Sequence, residues 1–154
     1  MNLPVDIKDL KDKVVVITGA GGVICSELAK AFAAAGARVA LLDLTKEKAE
    51  RFAEEIVRAG GTARGYMANV LDKASLAECH KEILSDFGKC DILINGAGGN
   101  SCKAQTDKEY FEAGDIDGEV KSFFDLDKSG VEFVFKLNFL GTLLPTQEFA
   151  RHMA

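Results

Sequence analysis

Lys13 to Thr18 reads KVVVIT, and Gly19-Ala20-Gly21-Gly22 follows at once. A β-branched run with no polar break suits a strand buried on both faces, and such strands belong to parallel sheets with helices packed on either side. Beyond the glycines, Ile24, Leu28, Ala31, Phe32 and Ala35 recur at helical spacing, and Gly36 stands where a helix C-terminus is expected. A buried strand feeding a helix through a glycine turn leaves few folds open. The next strand must return beside the first through a crossover.

The same unit repeats down the chain. Arg38 to Leu42 is a second apolar strand, ended by Asp43. Lys46 to Ala59 predicts a charged helix with Ala49, Phe52, Ala53 and Ile56 on one face, stopped by Gly60-Gly61. Thr62 to Met67 is a weaker third strand. Asp72 to Phe87 is an amphipathic helix with Leu76, Cys79, Ile83 and Phe87 as its stripe. Asp91 to Asn95 is a fourth strand, followed by Gly96-Ala97-Gly98-Gly99. The order β-α-β-α-β-α-β predicts an α/β chain with a parallel sheet, right-handed crossovers and helices on both faces. Residues 100–127 are polar and aperiodic, which predicts a surface insertion beside a substrate site or an excursion without a role. From Lys128 a helical pattern resumes through Phe133, Leu137, Leu140 and Leu144. Pro145 should kink it or mark a fresh start, because it cannot donate to the carbonyl of Gly141.

The totals fit one domain, spanning residues 1–154: 47% hydrophobic and 28% charged, with a net charge of -5 that disfavours nucleic acid and anionic membrane as partners. No apolar run approaches the ~18–20 residues of a membrane span. The first thirteen residues show neither an apolar core nor a small-residue cleavage site, so no signal peptide is expected. Cys25, Cys79, Cys90 and Cys102 form no CxxC pair, which predicts reduced thiols in a cytoplasmic protein. His80 and His152 are isolated and predict packing or surface roles, so no metal site is expected.

The glycine turn carries chemistry because of where it stands. A backbone free of side chains can approach a diphosphate, and the N–H groups of a helix's first turn, helped by the helix dipole, hold the anion. Gly19, Gly21 and Gly22 are the candidates, with Thr18, Val23 and Ile24 around them; a plain tight turn is the alternative. Asp43, at the tip of the second strand and next to Leu44, can accept both ribose hydroxyls of adenosine and repel a 2′-phosphate. That predicts NAD (NADH) rather than its phosphorylated form.

Together these residues resemble the short-chain dehydrogenase/reductase family, whose nucleotide motif is TGxxxGxG. Thr18-Gly19-Ala20-Gly21-Gly22-Val23-Ile24-Cys25 aligns without a gap, but Val23 and Cys25 replace the two later glycines. The family's NNAG segment corresponds to Asn95-Gly96-Ala97-Gly98, departing at Gly96. Asn69-Val70 is similar to the pair that meets the adenine. Leu137-Asn138-Phe139-Leu140-Gly141 is similar to the LNxxG segment. The resemblance implies a Rossmann-type, doubly wound parallel sheet with strands in the order 3-2-1-4 and strand four as an apolar edge, and hydride transfer between NAD(H) and a secondary alcohol or ketone. It places Asn95 to Gly98 at the inner ribose and nicotinamide. It gives Asn138 a part in a proton relay, whereas an Asn at a helix irregularity is the other reading.

A closer likeness, through TGAGGVICSELAKA and FVFKLNFLGTLLPTQ, is to a fructuronate reductase (D-mannonate oxidoreductase) branch, which implies a small sugar-acid substrate. The family also implies a homo-tetramer. Its catalytic Ser and YxxxK pair have no counterpart here: the fourth residue after Tyr66 is Val70 and after Tyr110 is Gly114. The chain is therefore expected to be truncated before its C-terminal strands and inactive alone. A non-catalytic dinucleotide module and an NAD-using sugar epimerase or dehydratase stay open as alternatives.

Overall fold

A computed structural model describes residues 10–153. Residues 1–9, which carry most of the stretch read as lacking a signal peptide, and residue 154 lie outside the described residues. Four parallel strands, β1 (Val14–Thr18), β2 (Arg38–Asp43), β3 (Thr62–Met67) and β4 (Ile92–Asn95), stand in the order β3-β2-β1-β4. Val16 pairs with Ala40 on one side and Leu93 on the other, so β1 is central. All five residues of β1 are buried, as a strand covered on both faces requires. This is a Rossmann-type α/β fold.

Alternation along the strands divides the core in two. Val15, Ile17, Val39 and Leu41 pack against α1 (Val23–Ala34) and α2 (Lys46–Arg58). Val14, Val16, Ala40, Leu42 and Tyr66 face α3 (Lys73–Asp86) and the Phe149 end of α5 (Gly141–Phe149). Each large aliphatic side chain fully removed from water in these layers contributes roughly 1.5–3 kcal/mol.

One detail of the sequence reading shifts and another is narrowed. The buried face of α1 is Cys25, Ser26, Ala29 and Ala33, not the stripe through Ile24 and Leu28. Val23 and Ile24 are 82% and 78% exposed. Small side chains let α1 lie close to the sheet; Val23, Ile24 and Leu28 point away from it, while Phe32 packs half-buried at the edge of the core. His80 is a packing residue: it is buried on α3, and its Nδ1 lies 2.9 Å from Glu148 Oε1 of α5.

Residues 100–127 carry three short 3-10 turns, Cys102–Ala104, Ala113–Asp115 and Phe123–Asp125, and are mostly exposed. Lys108 ties this segment to itself through Glu112 and the buried Asp115, both at 2.7 Å, and hydrogen bonding from Lys108 holds the Asp115 carboxyl below its ordinary range. Asp127 then caps α4 (Lys128–Phe135) by accepting from Ser129 and Gly130 N–H. Between α4 and α5, Lys136–Leu140 winds as a π turn. The irregularity expected of Pro145 thus lies just upstream of it, while Pro145 itself sits inside α5.

Candidate functional site

At the C-terminal ends of the strands lies a cleft of about 690 Å³, the crevice where open parallel sheets bind ligands. Gly19, Gly21, Gly22, Val23, Ile24, Asp43, Leu44, Asn69, Val70, Gly96, Ala97 and Gly98 all line it. Thr18, Asn95 and Asn138 do not. Thr18 is fully buried behind the wall, and its Oγ1 accepts the N–H groups of Gly96 and Ala97, both at 3.1 Å.

The first turn holds its shape by spending most of its own donors. Ala20 N–H bonds Leu42 O at 2.9 Å, Gly22 N–H bonds Gly19 O at 3.0 Å, and Gly21 N–H bonds Asp43 Oδ2 at 3.0 Å. Gly21 and Gly22 therefore supply space rather than donors. A Cβ on Gly21 would lie 2.7 Å from Asp43 Oδ2, and one on Gly19, whose φ is +66°, would lie 2.8 Å from Ala97 Cα. Val23, Ile24 and Cys25 N–H, at the start of α1, have no backbone acceptor among the described residues. These three orphaned donors leave the N-terminal end of the helix with the geometry and dipole that suit an anion.

Asp43 sits at the second focus. Its Oδ2 accepts from Gly21 and its Oδ1 from Thr45 N–H at 3.0 Å, which fixes the carboxylate at the rim. Asn69 Oδ1 is occupied by Leu71 N–H at 3.0 Å, leaving its NH₂ group for a ligand. Asn95 turns away from the cleft: its Nδ2 donates to Thr146 Oγ1 on α5 at 2.9 Å, tying β4 to that helix.

Asn138 stands in the π turn, the helix irregularity expected by one of its two readings. Its Nδ2 donates to Gly99 O at 2.7 Å and to Val134 O at 2.8 Å, and its Oδ1 accepts from Gly99 N–H at 3.2 Å. The amide clasps the loop after β4 so closely that a Cβ on Gly98 would lie 2.6 Å from Oδ1. Its backbone carbonyl accepts from Thr142 Oγ1 at 3.2 Å.

Cys25, Lys48, Ala68, Leu71, Phe133 and Leu137 also line the cleft and were not singled out by sequence. Phe133 and Leu137 arrive from a distant helix; their helical spacing is visible in the sequence, but nothing local says that they face this cleft. Cys25 was visible only as a missing glycine. Burial raises its thiol pKa. Among the described residues no group of three or more His, Cys, Asp or Glu side chains is placed to hold a metal, and no helix is long and apolar enough to cross a membrane.

Known proteins share this arrangement. An uncharacterized oxidoreductase of Haemophilus influenzae is 54% identical over 145 residues, covering 94% of this chain and 50% of that protein. The crystal structure of a candidate D-mannonate oxidoreductase from Haemophilus influenza with bound NAD superposes with a TM-score of 0.90 at 53% identity, over 96% of this chain and 53% of that one. An NAD+-bound xylitol dehydrogenase gives 0.78 at 26% identity, over 94% and 49%. The chain thus spans about half the length of these relatives. Residues 13–154 match the short chain dehydrogenase family, and the chain belongs to that family.

Proposed function

We infer that this chain is the dinucleotide-binding half of an NAD(H)-dependent oxidoreductase acting on a secondary alcohol or ketone. One observation carries the reading. The orphaned N–H groups of Val23, Ile24 and Cys25 and the fixed carboxylate of Asp43 border the same cleft. The first suits a diphosphate and the second a ribose diol, and a carboxylate at that rim repels a 2′-phosphate.

In this reading the bound nicotinamide supplies the hydride acceptor or donor, and the chain supplies its placement. Val70, Asn69 and Leu44 border the adenosine end. Gly96 to Gly98 wall the inner ribose and nicotinamide, and Asn138 holds that wall by gripping Gly99. Phe133 and Leu137 give the cleft an apolar side that displaces water. The acid–base residues of the reaction fall outside the motifs present, so this chain alone is expected to be inactive. The likeness to the candidate D-mannonate oxidoreductase favours a sugar acid as substrate. A cytoplasmic homo-tetramer remains the expected form.

Calorimetry with NAD and NADP tests the reading. NAD should bind more tightly than NADP. Asp43→Ala should weaken NAD by about tenfold or more, since a hydrogen bond to a charged group contributes ~1.5–3 kcal/mol. It should also narrow the preference over NADP. Unchanged NAD affinity in a folded Asp43→Ala variant removes Asp43 from the site. Net NADH formation with mannonate, measured on a protein that joins this chain to the catalytic Ser and YxxxK segment, tests the substrate class and separates a dehydrogenase from an epimerase.

A further inference from the structure

Two departures from the family pattern, Cys25 where a glycine is usual and Gly96 where an asparagine is usual, meet in space. A Cβ on Gly96 would overlap Cys25 Sγ, the deepest overlap at any described glycine, and would lie 2.8 Å from Thr18 O. The backbone of Gly96 is not left-handed, so its conformation does not demand glycine; the occupied volume does. Cys25 is 8% exposed, and both residues line the cleft.

We propose that Cys25 is a positioning residue for the dinucleotide, coupled to Gly96: its thiol fills the hollow over Gly96 and sets the gap between the start of α1 and the wall after β4. The proposal rests on the dinucleotide reading above. Residue 25 contributes twice. Its N–H is one of the three orphaned donors, and its side chain is the spacer that holds those donors at a fixed height above residues 96–98. An added Cβ at residue 96 drives Sγ outward and carries the first turn of α1 with it, because a packed interior shifts rather than yields. Deleting the thiol leaves a void into which the wall can sink. The sulfur acts by shape, not as a nucleophile.

The experiment is a double-mutant cycle in the full chain, read by NAD affinity and thermal unfolding. Gly96→Ala should weaken NAD by about tenfold or more, and Cys25→Gly by a smaller factor of roughly three. Cys25→Gly/Gly96→Ala should bind within about threefold of Cys25→Gly alone, because residues in contact couple non-additively. The rescue is partial by construction, since Thr18 O still presses on the new Cβ. Cys25→Ser, close in size, should bind more tightly than Cys25→Gly.

Additive losses in the double variant overturn the coupling. Gly96→Ala that melts earlier yet binds NAD like the parent overturns the positioning role and leaves only packing. Cys25→Ser no better than Cys25→Gly overturns the shape argument. A parent protein that does not bind NAD overturns the functional reading, and the positioning role falls with it. That outcome is distinct from a binding parent whose variants fail to couple.

Discussion

Thr18→Val isolates the two hydrogen bonds that hold the cleft wall. Valine keeps the shape of threonine in a fully buried site, so little packing is lost while the acceptor for Gly96 and Ala97 N–H disappears. Gly96 N–H retains a 3.2 Å bond to Ile94 O, whereas Ala97 N–H retains no backbone acceptor. A donor left without a partner costs about 1–3 kcal/mol when buried, and both residues are partly open to water, so the loss should be near 1–2 kcal/mol. For a chain of this size that lowers Tm by roughly 2–8 °C. Thr18→Ser is the control: it keeps the hydroxyl and loses one buried methyl, at about 1 kcal/mol.

The two variants should therefore melt within a few degrees of one another and separate in ligand binding. Serine should keep NAD affinity near that of the parent. Valine should weaken it by about tenfold, because the wall is no longer tied to β1. Hydrogen exchange at the Ala97 amide should accelerate in the valine variant alone. Equal NAD affinity for the two variants, with the Ala97 amide still protected in Thr18→Val, refutes the argument that these bonds hold the wall.

Gly65→Ala puts a Cβ 2.6 Å from Ala49 C and 2.7 Å from Glu50 Cα, where β3 runs against the backbone of α2. It should destabilise by about 3 kcal/mol, the upper end of overpacking, whereas Gly114→Ala, with nothing within 4 Å, should change Tm by less than about 2 °C. Asp91 accepts Val14 N–H at 2.8 Å and Lys13 Nζ at 3.1 Å, which holds its carboxyl below the ordinary range. Because the folded pKa is depressed, its contribution is full above the unfolded value of about 3.9 and is lost as pH falls through the folded one. The Tm gap between the parent and Asp91→Asn should therefore be widest near neutrality and close below about pH 4; a constant gap contradicts it.

The sheet was legible because KVVVIT and RVALL state their burial outright, DILIN continues the apolar run although it ends half-buried at the edge, and the glycine pairs punctuate them at regular distance. The strand order was legible through the family resemblance, because handedness alone leaves more than one order open. What sequence could not show was which face of α1 is inside. Periodicity gives weight to Ile24 and Leu28, but close approach to a sheet selects Cys25, Ala29 and Ala33, and Val23 and Ile24 are left at the cleft. The glycine turn lines the cleft, with no room for a Cβ between Gly19 and Ala97 or between Gly21 and Asp43. What the sequence did not contain is that Gly21 N–H is already taken by Asp43, a tertiary bond outside any spacing rule. Asn138 was singled out through a motif, and the structure places it behind the cleft wall, where it grips Gly99. Phe133 and Leu137 were legible as one helix stripe, but no spacing rule says that the stripe faces the cleft.

That π turn works as a phase shifter. One extra residue in an α-helix rotates everything downstream by about 100°. In an unbroken helix Phe149 would lie about 160° round the rod from Phe133; with the extra residue the angle falls to about 60°, so Phe133 and Leu137 at the cleft and the buried Pro145 and Phe149 all stay on the side of the rod that faces the protein. Length in Lys136–Leu140 is under control as well as side-chain identity: excising a single residue would let the rod close as an unbroken α-helix and turn one of its two ends toward solvent.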